Sequence, residues 1–130
     1  MGRNSPAAVR AAQPRRDETV AIDGLPSPTI RAIRELERTR LWPGAVATAL
    51  RGWRRTVHGP RARLFDLDDD CPCCDRSQDR MVLERAMTAL GGRPGRDLRA
   101  AVDLLDEVLR RRTHHDATTP AGAVWWHRRV

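Results

Sequence analysis

Val46, Ala49, Leu50, Trp53 and Val57 fall at intervals of three and four residues, so a helix through them gathers its large apolar side chains on one stripe. The same spacing returns in Leu83, Ala86, Met87 and Leu90 and in Leu98, Ala101, Val102, Leu105, Val108 and Leu109, while Ile30, Ile33 and Leu36, with Leu41 five residues on, make one further apolar stripe. No stretch of useful length alternates apolar and polar residues as a half-buried strand would, and no repeat at a solenoid period is present. Each stripe needs another apolar surface to cover it. The chain is therefore expected to be all-α, about four helices in a small bundle, with irregular N- and C-terminal segments.

The breaks between stripes place the boundaries. Ser27 can cap a first helix with Pro28 at its first helical position, and Pro43 stops that helix by forcing Trp42 out of the α region. A second helix is expected from about Gly44 to Val57, closed by Gly59-Pro60. A third begins near Asp75 or Ser77, where Asp75 and Gln78 resemble a reciprocal capping pair, and Gly91-Gly92 ends it. The fourth runs from about Gly95 to Thr113, with Gly91-Gly92-Arg93-Pro94-Gly95 as the connecting turn. Its acids Asp103, Asp106 and Glu107 precede Arg110, Arg111 and Arg112, the order that suits the helix dipole, and are expected on its solvated face. The organisation is then a disordered basic lead-in over residues 1–26, a helical domain over 27–113, and a tail over 114–130 carrying a tryptophan pair. At 130 residues this is one domain with a modest core.

Charge is unevenly spread. All 24 basic residues are arginine, and the chain has no lysine or tyrosine, a bias that a GC-rich genome explains without selection for phosphate recognition. The formal net charge is +7; residues 1–63 carry +8, residues 64–109 carry −5 and residues 110–130 carry +4. A basic front and tail thus flank an acidic middle, a layout that can steer anionic partners or fold the ends onto the centre. No apolar stretch approaches the roughly 20 residues that span a membrane, and the basic N-terminus lacks the apolar segment of a secretory signal, so a cytoplasmic protein is expected.

The acidic middle holds every cysteine, in Asp68-Asp69-Asp70-Cys71-Pro72-Cys73-Cys74-Asp75. Cys71 and Cys74 have the spacing of a zinc half-site, with Cys73 as a possible third ligand and His58, His114, His115 or His127 to complete a tetrahedral set. His114 and His115 follow the fourth helix and would approach the start of the third if the two are antiparallel. The same pair at a helix N-terminus could be a thiol redox sensor, although the four flanking aspartates raise thiol pKa values and no βαβ pattern surrounds it. A capped turn with reduced thiols is the third reading. Three clustered thiols do not make a secreted disulfide framework.

Two further sets of residues suggest binding. The first two helices, joined through Leu41-Trp42-Pro43-Gly44, look like a helix-turn-helix whose second helix offers Arg51, Arg54 and Arg55 to phosphates, with Arg61 and Arg63 extending the stripe. Solvated helix faces filled by arginine would look the same. Trp125 and Trp126, with His127, Arg128 and Arg129, form an amphipathic end: a latch on the chain's own core, or an anchor for a partner.

The Cys71-Pro72-Cys73-Cys74 run, the helix end Leu105-Asp106-Glu107-Val108-Leu109-Arg110-Arg111-Arg112-Thr113 and the terminal Trp-Trp-x-Arg-Arg resemble small uncharacterised actinobacterial arginine-rich proteins. The resemblance covers roughly the C-terminal half and implies an actinobacterial source but no activity. No Ser/His/Asp order, phosphate-cradling glycine loop or paired-carboxylate constellation has supporting context. The expectation is a small non-enzymatic helical binding or regulatory module for a protein partner, with a zinc site as its one candidate cofactor. The alternatives are a DNA-binding regulatory protein and a thiol sensor, and the oligomeric state is left open.

Overall fold

The computed structural model describes residues 22, 24–60, 77–115, 117 and 125–129. Among these it forms four α-helices, α1 (Ser27–Thr39), α2 (Ala45–His58), α3 (Ser77–Leu90) and α4 (Gly92–Arg112), and a short 3-10 turn at Trp125–Arg128. One antiparallel bridge, between His115 and Arg129, is the extent of β structure among the described residues.

The stripes read from the sequence meet in one core. Ile33 and Leu36 enter it from α1; Val46, Ala49, Leu50, Trp53 and Val57 from α2; Leu83, Ala86 and Met87 from α3; and Leu98, Val102, Leu105 and Leu109 from α4. Leu41, Leu90 and Val108 pack on its margin. Trp53, the largest of these side chains, is fully buried. Trp126 joins the same cluster from the 3-10 turn, so the C-terminal segment returns to the bundle.

Cross-helix bonds give the helix directions. Trp53 and Val57 of α2 bond to Asp106 and Arg112 of α4, so these two helices run parallel. Arg80, near the start of α3, bonds to the same Asp106 late in α4, so α3 runs antiparallel to α4.

Three boundaries differ from the sequence reading. Ser27 does not cap α1. Pro26 occupies that position in extended backbone without a side-chain cap bond, and Ser27 lies inside the first turn with Pro28. The first intrahelical bond runs from Ile30 N–H to the Pro26 carbonyl, which makes Pro26 the residue that opens the helix. α1 also ends at Thr39, ahead of Pro43, where the Thr39 hydroxyl donates back to the Glu35 and Leu36 carbonyls and Arg40 N–H closes on Leu36. At the other hairpin, α4 begins at Gly92 rather than Gly95. Pro94 falls in the first helical turn, where no N–H donor is needed, so the proline starts the helix instead of preceding it. Gly95 is inside that helix and buried, and a Cβ there would sit 3.2 Å from the Met87 carbonyl oxygen, which is how the α3 and α4 backbones pass so closely.

Gly44 is the other glycine that the fold requires. It precedes α2 at φ +78°, a left-handed conformation that costs other residues about 1–2 kcal/mol. Having no side chain, it cannot cap α2 itself. The buried Glu37 carboxylate on α1 accepts the Gly44 N–H instead and ties the end of one helix to the start of the next. The capping pair expected at Asp75 and the lead-in up to residue 21 lie outside the described residues.

Candidate interaction surface

The centre of the bundle is polar. Asp106 is 2% exposed; its Oδ1 accepts hydrogen bonds from Trp53 Nε1 and Arg80 Nε, each at 3.0 Å, and its Oδ2 accepts one from Arg80 Nη2 at 3.0 Å. Arg80 Nη1 donates to Glu84 Oε2 at 2.8 Å, and the guanidinium lies 4.5 Å from the centroid of the Trp126 ring. Three helices and the C-terminal turn therefore converge on one ion pair. Asp103 and Glu107 are exposed as expected of the α4 acids, but Asp106 is a correction. It lies four residues after Val102 and three before Leu109, on the core side of the helix. Arg80 likewise sits three residues before Leu83. Both positions were open to a periodicity reading that included charged residues. The bidentate geometry occupies both carboxylate oxygens and gives the pair a positional role.

The sequence-derived site residues separate into three groups. Arg51, Arg54 and Arg55 are exposed on α2, and none of them forms an ion pair among the described residues. α2 itself contains no acid. α1 rests mainly on α4 and α3, while α2 packs most extensively on α3, so α2 is not held against α1 as in a helix-turn-helix. Arg61, Arg63, Cys71, Cys73 and Cys74 lie outside the described residues.

The histidines form the second group. His58 is exposed at the end of α2. His114 and His115 are exposed beyond α4, and the antiparallel pairing puts them at the end of the bundle where α3 begins. Among the described residues, no three His, Cys, Asp or Glu side chains converge as a metal-binding group. His127 and Arg128 belong to the 3-10 turn, but their side chains are outside the described part of the structure.

Trp125, Trp126 and Arg129 form the third group, and they are brought onto the chain's own bundle. The two indoles make an edge-to-face contact with centroids 5.8 Å apart. Trp126 is 3% exposed, whereas Trp125 is half-buried with the Arg110 guanidinium 4.2 Å from its ring centroid. Arg129 donates from Nε to Thr113 Oγ1 and from Nη2 to the carbonyls of Thr113 and Arg110. The last carbonyls of a helix have no partner within it, and Arg129 supplies one here. Trp126 is thus a latch on its own domain.

A surface that the sequence reading did not single out lies along α4 on residues separate from those that meet this tail. The segment Gly24–Pro26, the end of α2 and the middle of α4 enclose an open groove of about 750 Å³. Leu25, Ala100, Ala101, Leu104 and Val108 give it an apolar floor, and Leu104 is 74% exposed. Arg54, His58 and Arg111 stand on the rim with Asp97 and Glu107. Asp97 already accepts a 2.7 Å hydrogen bond from Thr29, and Glu107 lies 3.4 Å from Arg111 and 3.9 Å from Arg110. The rim acids are therefore engaged, and Arg54 is the rim charge without an ionic partner among the described residues. A signal for Leu104 was present. Adjacent leucines on a helix point about 100° apart, so Leu104 and Leu105 cannot both face the core.

None of the described helices is long and apolar enough to cross a membrane. The molecule is a small all-α bundle with a polar tie at its centre and a latched C-terminal turn. No protein-family model, curated protein or solved structure matches it.

Proposed function

We propose that this protein is a helical binding module that takes an acidic, amphipathic segment of a protein partner along the α2–α4 groove. The observation that carries this reading is Leu104, 74% exposed on the apolar floor of a groove of about 750 Å³, beside a helix that has no acid and three arginines with no ion pair among the described residues. Covering a leucine is worth about 1.5–3 kcal/mol, and a groove offers that contact to a partner's apolar face. Arg51, Arg54 and Arg55 then attract the partner's carboxylates and set its orientation, acting more on association rate and specificity than on affinity. A nucleic-acid duplex would meet the same arginines through its phosphates but has no apolar face to lay on Leu104 and Val108, so the groove favours a protein.

The test is fluorescence anisotropy on the full chain with a labelled helical peptide carrying leucine on one face and glutamate on the other. A random-sequence DNA duplex runs in parallel. Saturable peptide binding that weakens with salt and falls at least tenfold in Leu104→Asp supports the proposal. Arg54→Glu should weaken it further at low salt than at high salt. Absence of peptide binding at low salt overturns it. So does tight DNA binding with a steep salt dependence that Leu104→Asp leaves unchanged, which would assign the arginine face to nucleic acid.

A further inference from the structure

The return of the C-terminal segment onto α4 builds a second, smaller concavity of about 190 Å³, lined by Arg110, His115, Trp125 and Arg129. Among the described residues, no carboxylate lines it. It stands apart from the α2–α4 groove, with which it shares no residue. Two features make it a constructed site rather than a chance meeting of basic side chains. Arg129 has Nε and Nη2 committed to Thr113 and to the Arg110 carbonyl, which fixes the plane of its guanidinium; its Nη1 has no hydrogen-bond partner among the described residues. Arg110 is held against the face of Trp125 at 4.2 Å, and Glu107, the acid it pairs with among the described residues, is 3.9 Å away and itself engaged with Arg111 at 3.4 Å. The backbone bridge between His115 and Arg129 sets the spacing of those two walls.

We infer that this pocket is a binding site for a compact oxyanion of the phosphate class. A guanidinium offers planar, fixed donors suited to tetrahedral oxyanions, and two of them already oriented lose less entropy on binding than two free ones. His115 adds a third nitrogen donor, and the volume suits a phosphoryl group rather than a nucleotide or a peptide. Arg110 and His115 come from the end of α4 and the residues just after it, whereas Trp125 and Arg129 come from the C-terminal turn. A bound anion therefore bridges bundle and tail, and its binding free energy adds to the latch that Trp126 makes.

The experiment follows thermal unfolding of the full chain at constant ionic strength as chloride is replaced by inorganic phosphate, and separately by O-phosphoserine. The first probe represents the free ion and the second a phosphoryl group borne on a side chain; whichever binds more tightly identifies the source. The expected result is a midpoint that rises with ligand concentration and saturates, as binding to the native state alone requires. Arg110→Gln and His115→Gln leave Trp126 and the Arg129 bonds in place, and each should weaken apparent affinity about tenfold or more, the effect of losing one charge-assisted hydrogen bond. The inference is overturned if neither probe raises the midpoint beyond the chloride control. It is equally overturned if both variants keep the wild-type response.

Discussion

Removing the Asp106 carboxylate tests whether the polar tie holds the bundle together. Asp106→Ala leaves the Arg80 side chain, 4% exposed, with Glu84 as its remaining carboxylate among the described residues, and leaves Trp53 Nε1 without its acceptor. Breaking a buried pair from one side costs about 3–5 kcal/mol, and an orphaned buried N–H adds about 1–3 kcal/mol, the two overlapping because both groups lean on one carboxylate. Against the 5–15 kcal/mol of a typical domain, this is a large share of the total. At about 4–8 °C per kcal/mol for a domain of this size, the unfolding midpoint should fall by at least about 12 °C. Arg80→Met strands the carboxylate instead and should cost a similar amount.

The pair separates from its parts in a double-mutant cycle, followed by urea unfolding with far-ultraviolet circular dichroism. If the two groups matter because each compensates the other, Arg80→Met with Asp106→Leu removes both charges together. What is left is the stranded Trp53 N–H, a cost of about 1–3 kcal/mol. The double variant should therefore be more stable than either single variant. Asp106→Asn, which keeps the shape and one acceptor oxygen, should fall between wild type and Asp106→Ala and gives a reading even if the alanine variant does not fold. Two results would refute the reasoning: single variants that cost less than about 1 kcal/mol, or a double variant that costs the sum of the singles.

Three other outcomes follow from the same geometry. Glu37→Ala should cost about 1 kcal/mol in urea unfolding, because the half-buried Gly44 N–H loses its acceptor, and Gly44→Ala should cost about 1–2 kcal/mol through its left-handed backbone alone, having open space around its Cβ position. Trp126→Ala should cost about 3–5 kcal/mol in global stability, since the indole belongs to the core and covers Arg80, whereas the half-buried Trp125 should cost less when truncated. Leu104→Ser should change stability by less than about 0.5 kcal/mol, so that any effect on binding is read without a folding correction.

Sequence periodicity carried most of the fold because helical burial repeats with the helix itself. Ile33, Leu50, Trp53, Leu83 and Leu98 were all placed by their spacing, and all are in the core. Helix ends were less legible, since they depend on partners far along the chain. Gly44 is capped by Glu37 from the preceding helix, and Pro94 looks the same in a turn as in a first helical turn. The polar tie was missed for a different reason. Asp106 and Arg80 are buried only because each faces the other across 26 residues of sequence, and a charge read by itself belongs on the surface. The groove depends on three segments that no local pattern connects, although Leu104 marked one wall. The cysteine run, the most conspicuous motif in the sequence, lies outside the described residues.

The end of α4 shows why a charge run resists a single interpretation. Arg110, Arg111 and Arg112 read in sequence as one basic block complementing the helix dipole, and each does lie in the last turn. Successive residues on a helix are turned by about 100°, however, so three in a row must face three different neighbours. Arg112 donates through Nη1 to the Val57 carbonyl and binds α4 to the C-terminal end of α2. Arg111 stands on the rim of the apolar groove, and Arg110 covers Trp125 and lines the pocket made by the tail. Charge reversal of the whole block would confound the three. Arg112→Gln should loosen the bundle without altering peptide binding at saturating stability. Arg111→Gln should act mainly on the groove, with a smaller loss in the oxyanion response because Glu107 then turns to Arg110, and Arg110→Gln should act on the oxyanion response alone. If instead the three variants shift all three readouts in parallel, the block acts through its summed charge, and the division of labour inferred from helix geometry is wrong.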